Sequence, residues 1–182
     1  MNIFKKFIPL CLCLSMICTL FGFQTVEGAT AYDETISNGS FSDFQQALLN
    51  AKNKGTANHI YKIHITKDLR INKSVGIYSN TMIVVDKNVK IIRNLPAGDG
   101  GTTFRVGKPG SSASGYYYRN ITIITNAKEF GLYSYNCSGK VTGGKIANCG
   151  KYGIGAYKKG ISYSKVKFSN NGANGKCNYY RG

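Results

Sequence analysis

Past the first thirty residues the chain alternates short apolar runs with polar, glycine-rich turns. Ile60 to Ile65, Met82 to Val85, Val89 to Ile92 and Thr102 to Val106 read as early strands. Ile121-Thr122-Ile123-Ile124 and Val166-Lys167-Phe168 place every second side chain inward, while Asn-Gly and Gly-Gly pairs turn the corners. One stretch has a different period. Phe44, Ala47, Leu48 and Ala51 fall at helical spacing, Ser42 and Gln45 make a capping-box pattern, and Gly55 is a plausible stop. These residues predict one amphipathic helix over 43–53. Gly107 to Tyr118, rich in Gly, Ser and Tyr, reads as a protruding loop.

A repeat of 22 residues organises the last third. Gly131, Gly153 and Gly175 recur at that interval, in phase with Tyr135, Tyr157 and Tyr179 and with Asn126, Asn148 and Asn170. Lys145 with Lys167, Gly150 with Gly172, and the series Ile124, Ile146 and Phe168 keep the same register. Several classes of position repeating together indicate stacked units. Helical repeats are excluded because 17 of the 22 glycines lie between Gly98 and Gly182. Leucine-rich repeats are excluded because only Leu48, Leu49, Leu69, Leu95 and Leu132 follow the first thirty residues. The remaining expectation is an all-β solenoid, with three short strands and their turns in each unit.

The repeat GKIANCGKYGIGAY (144–157), its partner VKFSNNGANG (166–175) and the segment YSNTMIVVDKNVKIIRN (78–94) resemble the right-handed parallel β-helix proteins of the pectate-lyase-like superfamily. The resemblance spans roughly residues 40–182 and is specific for architecture, weak for activity. It implies a single-stranded right-handed parallel β-helix of about five to six coils. It also implies an asparagine ladder at one corner, formed by Asn126, Asn148 and Asn170, since Asn tolerates the left-handed conformation. The helix would be the amino-terminal cap, covering apolar core and strand edges. Nothing in the terminal CNYYRG resembles a second cap. An open last coil implies either a docked partner or self-association there, or a shortened relative of a longer β-helix, the latter being favoured.

The domain reading is a secretory leader over 1–28, a segment with the capping helix over 29–58, and the β-helix over 59–182. Lys5 and Lys6 precede an apolar run from Phe7 to Phe23, and small residues follow at Gly28 and Ala29. An uncleaved membrane anchor is the alternative. After removal of the leader about 154 residues remain, enough for one elongated core. Cys137, Cys149 and Cys177 share no phase in the repeat, which disfavours an obligatory disulfide. His59 and His64 lie far upstream and no Cys-x-x-Cys occurs, so no metal site and no cofactor are expected.

Charge is the second signal. The full chain carries a formal net charge of +16; residues 29–182 hold 22 basic and seven acidic side chains, a net of +15. From Gly131 onward there are eight lysines and Arg181, and no Asp or Glu. Such a surface attracts polyanions in a salt-dependent way. For a secreted protein the expected partner is acidic polysaccharide or an anionic cell envelope, and nucleic acid is not expected. The bland reading is that the basic residues only solubilise a stacked sheet. Tyr135, Tyr157 and Tyr179 would form a column of rings about 4.8 Å apart. Pointing outward it is a platform for sugar rings, with Lys158, Lys159 and Arg181 beside it; pointing inward it is an aromatic stack in the core.

Catalysis has weaker support. A polysaccharide hydrolase needs two carboxylates across the scissile bond, and after Asp99 the chain has only Glu129. The acidic clusters of calcium-dependent lyases in the resembled family have no counterpart here. Proton abstraction by Lys or Arg remains, with Lys145 and Lys167 as the candidates, against the plainer reading of ordinary exposed lysines. The leading functional expectation is therefore a secreted protein that binds acidic polysaccharide. A metal-independent polysaccharide lyase and a structural or adhesin-like surface module are the alternatives.

Overall fold

The computed structural model describes residues 31–93, 103–106, 113–119, 122–125, 132–135, 137–149, 152–157, 161–172 and 179–181. From Tyr32 on they belong to one unit, Tyr32–Gly182. The chain enters by β1 (Glu34–Ile36) and α1 (Phe41–Lys54). Strands then come in threes: β2 (Tyr61–Ile65), β3 (Leu69–Ile71) and β4 (Val75–Ile77), followed by β5 (Thr81–Val85), β6 (Ile91–Arg93) and β7 (Phe104–Val106). Next are β8 (Ala113–Arg119), β9 (Thr122–Thr125) and β10 (Leu132–Tyr135), then β11 (Cys137–Thr142), β12 (Lys145–Ala147) and β13 (Ile154–Tyr157). The last described are β14 (Ser162–Ser164), β15 (Lys167–Ser169) and β16 (Tyr179–Arg181).

These strands form three parallel sheets. The first has the order β1-β2-β5-β8-β11-β14, the second β3-β6-β9-β12-β15 and the third β4-β7-β10-β13-β16. Each strand from β2 to β13 thus pairs with the one three places further along the chain. Alternation explains which face is buried: Ile63 and Ile65 of β2 are fully buried, whereas Lys62 and His64 between them are partly exposed. In the second sheet Leu69, Ile91, Ile123, Ile146 and Phe168 occupy one row across five strands. A continuous apolar row of this kind is the unit of cohesion between neighbouring strands.

The expected fold is corrected here. In place of a single-stranded right-handed parallel β-helix of about five to six coils, the described residues form three separate parallel sheets of short strands, mostly of three to five residues, and one helix. The reason lies in the spacing. Leu69 to Ile91, Leu132 to Ile154, Lys140 to Ser162 and Lys145 to Lys167 keep the 22-residue interval. Met82 pairs with Tyr117, Ile91 with Ile123, Val75 with Phe104 and Ile154 with Tyr179, at intervals of 35, 32, 29 and 25. Insertions of this size leave no constant coil.

Local corrections follow from the same register. Residues 113–118, expected within a loop, belong to a strand, Ala113–Arg119, paired on both sides, in keeping with the β preference of its Tyr116, Tyr117 and Tyr118. Ile123, not Ile124, stands beside Ile146; Ile124 is beside Ala147. A slip of one residue moves a side chain to the other face of its sheet.

The helix is two residues longer at its start than the capping-box pattern indicated. Ser40 is the N-cap, its Oγ accepting the Asp43 N–H at 3.2 Å. The Asn38 amide donates to Asp43 Oδ2 at 2.6 Å. Hydrogen bonds from Asn38 and then Ser40 hold the Asp43 carboxyl below its ordinary value. At the other end the Gly55 N–H donates to Ala51 O at 2.8 Å, and a Cβ on Gly55 would lie 2.7 Å from that oxygen, which excludes a larger residue. The apolar stripe Phe44, Ala47, Leu48 and Ala51 is buried against the first strands of all three sheets.

A polar clasp ties β1 to the helix. The Tyr61 hydroxyl donates to Glu34 Oε1, which also accepts from the Asn50 amide at 2.6 Å. Burial, and then the Glu34 carboxylate, push the Tyr61 hydroxyl well above its usual value. Two other buried hydroxyls, Thr81 Oγ1 and Thr103 Oγ1, have no hydrogen-bond partner among the described residues. An unpaired buried hydroxyl is destabilising by roughly 1–3 kcal/mol. Thr81→Val and Thr103→Val are each expected to raise the melting temperature by about 2–4 °C, read by calorimetry; a lowered value would mean that the hydroxyls are satisfied.

Candidate functional site

Basic side chains gather where the first sheet gives way to the second. β11 ends at Thr142, and Gly143 and Gly144, at φ of 72° and 76°, turn the chain into β12. Both glycines lie in the left-handed region that residues with a Cβ enter at a cost. One unit further on the corresponding two-residue turn joins β14 to β15, and Lys165, at φ 55°, takes the place of Gly143. The Gly143 N–H donates to Ser164 O at 2.9 Å and the Lys167 N–H to Gly144 O at 2.9 Å, so the two turns are locked together. Lys145 stands directly beside Lys167. Lys140, Lys145, Lys165 and Lys167 are all exposed.

This corner is a fixed array of positive charge. Strand spacing sets Lys145 and Lys167 about 4.8 Å apart along the sheet at the backbone. No carboxylate follows Glu129 in the chain to neutralise them. The register neighbours of Lys145 are Thr122 and Lys167, neither a carboxylate nor a histidine. The corner therefore sets like charges side by side at an exposed position, and its geometry adds nothing to the expected role of these lysines in proton abstraction.

Asparagines brace the adjoining turn. Asn148 and Asn170 lie in the left-handed region, at φ of 56° and 54°, and the Asn170 amide donates to Asn148 Oδ1 at 3.0 Å. Asn126, the third rung expected, lies outside the described residues. The neighbouring Asn171 does more. It is fully buried, its Oδ1 accepts the Cys149 N–H at 3.1 Å, and its amide donates to Ile146 O at 3.0 Å. The repeat did not single it out, because its phase partner is Cys149 rather than another asparagine.

The tyrosine column is shorter than expected. Tyr135 is in register with Tyr157, but Tyr179 stands beside Ile154 and Arg181 beside Ala156, because the last interval is 25 residues instead of 22. Lys158, Lys159 and Cys177 lie outside the described residues, as does the segment 1–28 expected to be a leader. Cys137 and Cys149 are buried. Among the described residues, no helix is long and apolar enough to cross a membrane.

Both histidines are fastened to carboxylates near the amino-terminal strands. His64 Nε2 lies 2.6 Å from Asp86 Oδ1, and its ring stacks on Tyr32 at 4.1 Å. His59 Nε2 lies 2.9 Å from Asp33 Oδ1. Alternation along β2 places His64 outward, but nothing in the local sequence announces Asp86, 22 residues on, as its partner. No protein-family model, curated protein or solved structure matches this chain, and nothing in these comparisons links it to the pectate-lyase-like proteins.

Proposed function

We propose that this protein binds acidic polysaccharide outside the cell, with the lysine corner of β11, β12, β14 and β15 as the principal contact. The observation that carries this reading is the exposed set Lys140, Lys145, Lys165 and Lys167 on or beside two interlocked turns, in a part of the chain without acidic residues. Fixed positive charges along a parallel sheet suit a polymer whose negative charges also recur at a regular interval. Binding releases counterions from both surfaces, so affinity falls as salt rises.

Lys165 adds an independent argument. A lysine in the left-handed region costs roughly 1–2 kcal/mol relative to glycine, the residue found at the equivalent turn. Strain retained at such a position is accounted for if the side chain is used. Lys165→Gly is expected to stabilise the fold by about 1 kcal/mol and still weaken binding to polygalacturonate, and the gain in stability excludes misfolding as the cause. The Lys145→Gln/Lys167→Gln double variant is expected to weaken binding by about three- to thirtyfold and to lessen its salt dependence. Unchanged affinity and salt dependence in both variants, measured by titration, would move the contact elsewhere.

A further inference from the structure

We infer that a groove between α1 and β4 is a second carbohydrate site, one that holds a single uronate residue; this rests on the polyanion reading above. β4 is the terminal strand of the third sheet, and α1 packs alongside it. Between them lies a groove of about 170 Å³, walled by Gln45, Leu48 and Leu49 of the helix and by Gly76 and Tyr78. Sites for drug-sized ligands begin near ~300 Å³, so this one suits a single ring.

Its chemistry selects for an acidic sugar. A Cβ built on Gly76 would meet nothing within 4 Å, so this part of the groove is open to a ligand. Arg105 of β7 is in register with Gly76 and exposed, so its side chain leaves the same face of the sheet one strand away from that opening. Lys52 Nζ lies 5.3 Å from the centroid of the half-buried Tyr78 ring, a cation held at the rim. Among the described residues neither Lys52 nor Arg105 takes part in an ion pair. The fork of Arg105 matches a carboxylate in two-point contact. Gln45 offers both donor and acceptor to ring hydroxyls, and Leu48 and Leu49 offer apolar surface to the ring's C–H face. No Asp or Glu lines the groove.

The test uses the purified full protein, trigalacturonate as the acidic probe and a neutral glucose trimer as the control, with polygalacturonate binding measured in parallel. Nuclear magnetic resonance titration is expected to shift the Gly76 amide with trigalacturonate and not with the glucose trimer. Arg105→Gln and Lys52→Gln are each expected to weaken trimer binding about tenfold. Arg70→Gln removes the same charge from an exposed position on β3 and is expected to leave it unchanged. Unaltered trimer affinity in both groove variants, or equal binding of the two trimers, would overturn the groove assignment. If polygalacturonate still bound, the lysine-corner reading would survive that result; if neither polymer nor trimer bound the unsubstituted protein, both readings would fall together.

Discussion

Phe44→Ala is expected to lower the free energy of unfolding by about 3–5 kcal/mol. The ring is fully buried and lies 6.3 Å, centroid to centroid, from that of Phe104 in β7. It is the largest fully buried side chain of α1, and the helix rests on the first strands of all three sheets. Truncation removes the transfer free energy of the ring and leaves a cavity that three converging sheets have little freedom to close. Urea denaturation followed by circular dichroism would read the change as a fall in midpoint at constant slope. Leu49→Ala on the same helix is the control: Leu49 is 44% exposed, and its loss should cost less than about 0.5 kcal/mol. Equal losses at the two positions would mean that the helix is not seated through Phe44.

Asn171→Ala is expected to be nearly as damaging, at about 2–4 kcal/mol. The alanine leaves the Cys149 N–H and the Ile146 carbonyl without the partners that Asn171 supplies, both on residues that are buried. Each buried backbone group left unpaired costs roughly 1–3 kcal/mol, and water has no ready access to replace the amide. Asn170→Gly gives the contrast. It keeps the left-handed backbone and removes only the exposed amide bond to Asn148, so a loss below about 1 kcal/mol is expected. Equal destabilisation by the two changes would assign the structural role to the exposed ladder instead of the buried residue. Both effects are measured by the same denaturation experiment.

How far the sequence could be read depended on whether a signal was periodic. Phe44, Ala47, Leu48 and Ala51 repeat at helical spacing, and all four are buried in α1. Where the 22-residue interval holds, it placed Lys145 beside Lys167 and Tyr135 beside Tyr157 correctly. Where an insertion intervenes it misplaced Tyr179 and Ile124, since a repeat cannot disclose how many residues a loop absorbs. Strands β1, β3 and β4 have three residues each, too few for alternation to register. The β-helix expected from the repeat and the resemblance failed for the same reason: the regular stretch was extended to segments whose intervals reach 35 residues.

The candidate sites divide along the same line. Two of the four corner lysines were legible because they share a phase. Lys165 was not, because its importance lies in a backbone angle. Asn171 stayed hidden beside Asn170, since the repeat marked only the asparagine that recurs, while burial and two backbone partners single out its neighbour. The groove draws on residues 45–52, 76–78 and 105, which only the third sheet and the helix bring together.

The most direct test is co-sedimentation of the purified protein with polygalacturonate and with a neutral glucan, at low and at high salt. Binding to polygalacturonate at low salt, release at high salt and no binding to the glucan are the predicted results. Absence of binding to the acidic polymer, or equal retention by both polymers at either salt concentration, would contradict the assignment of this protein as a binder of acidic polysaccharide.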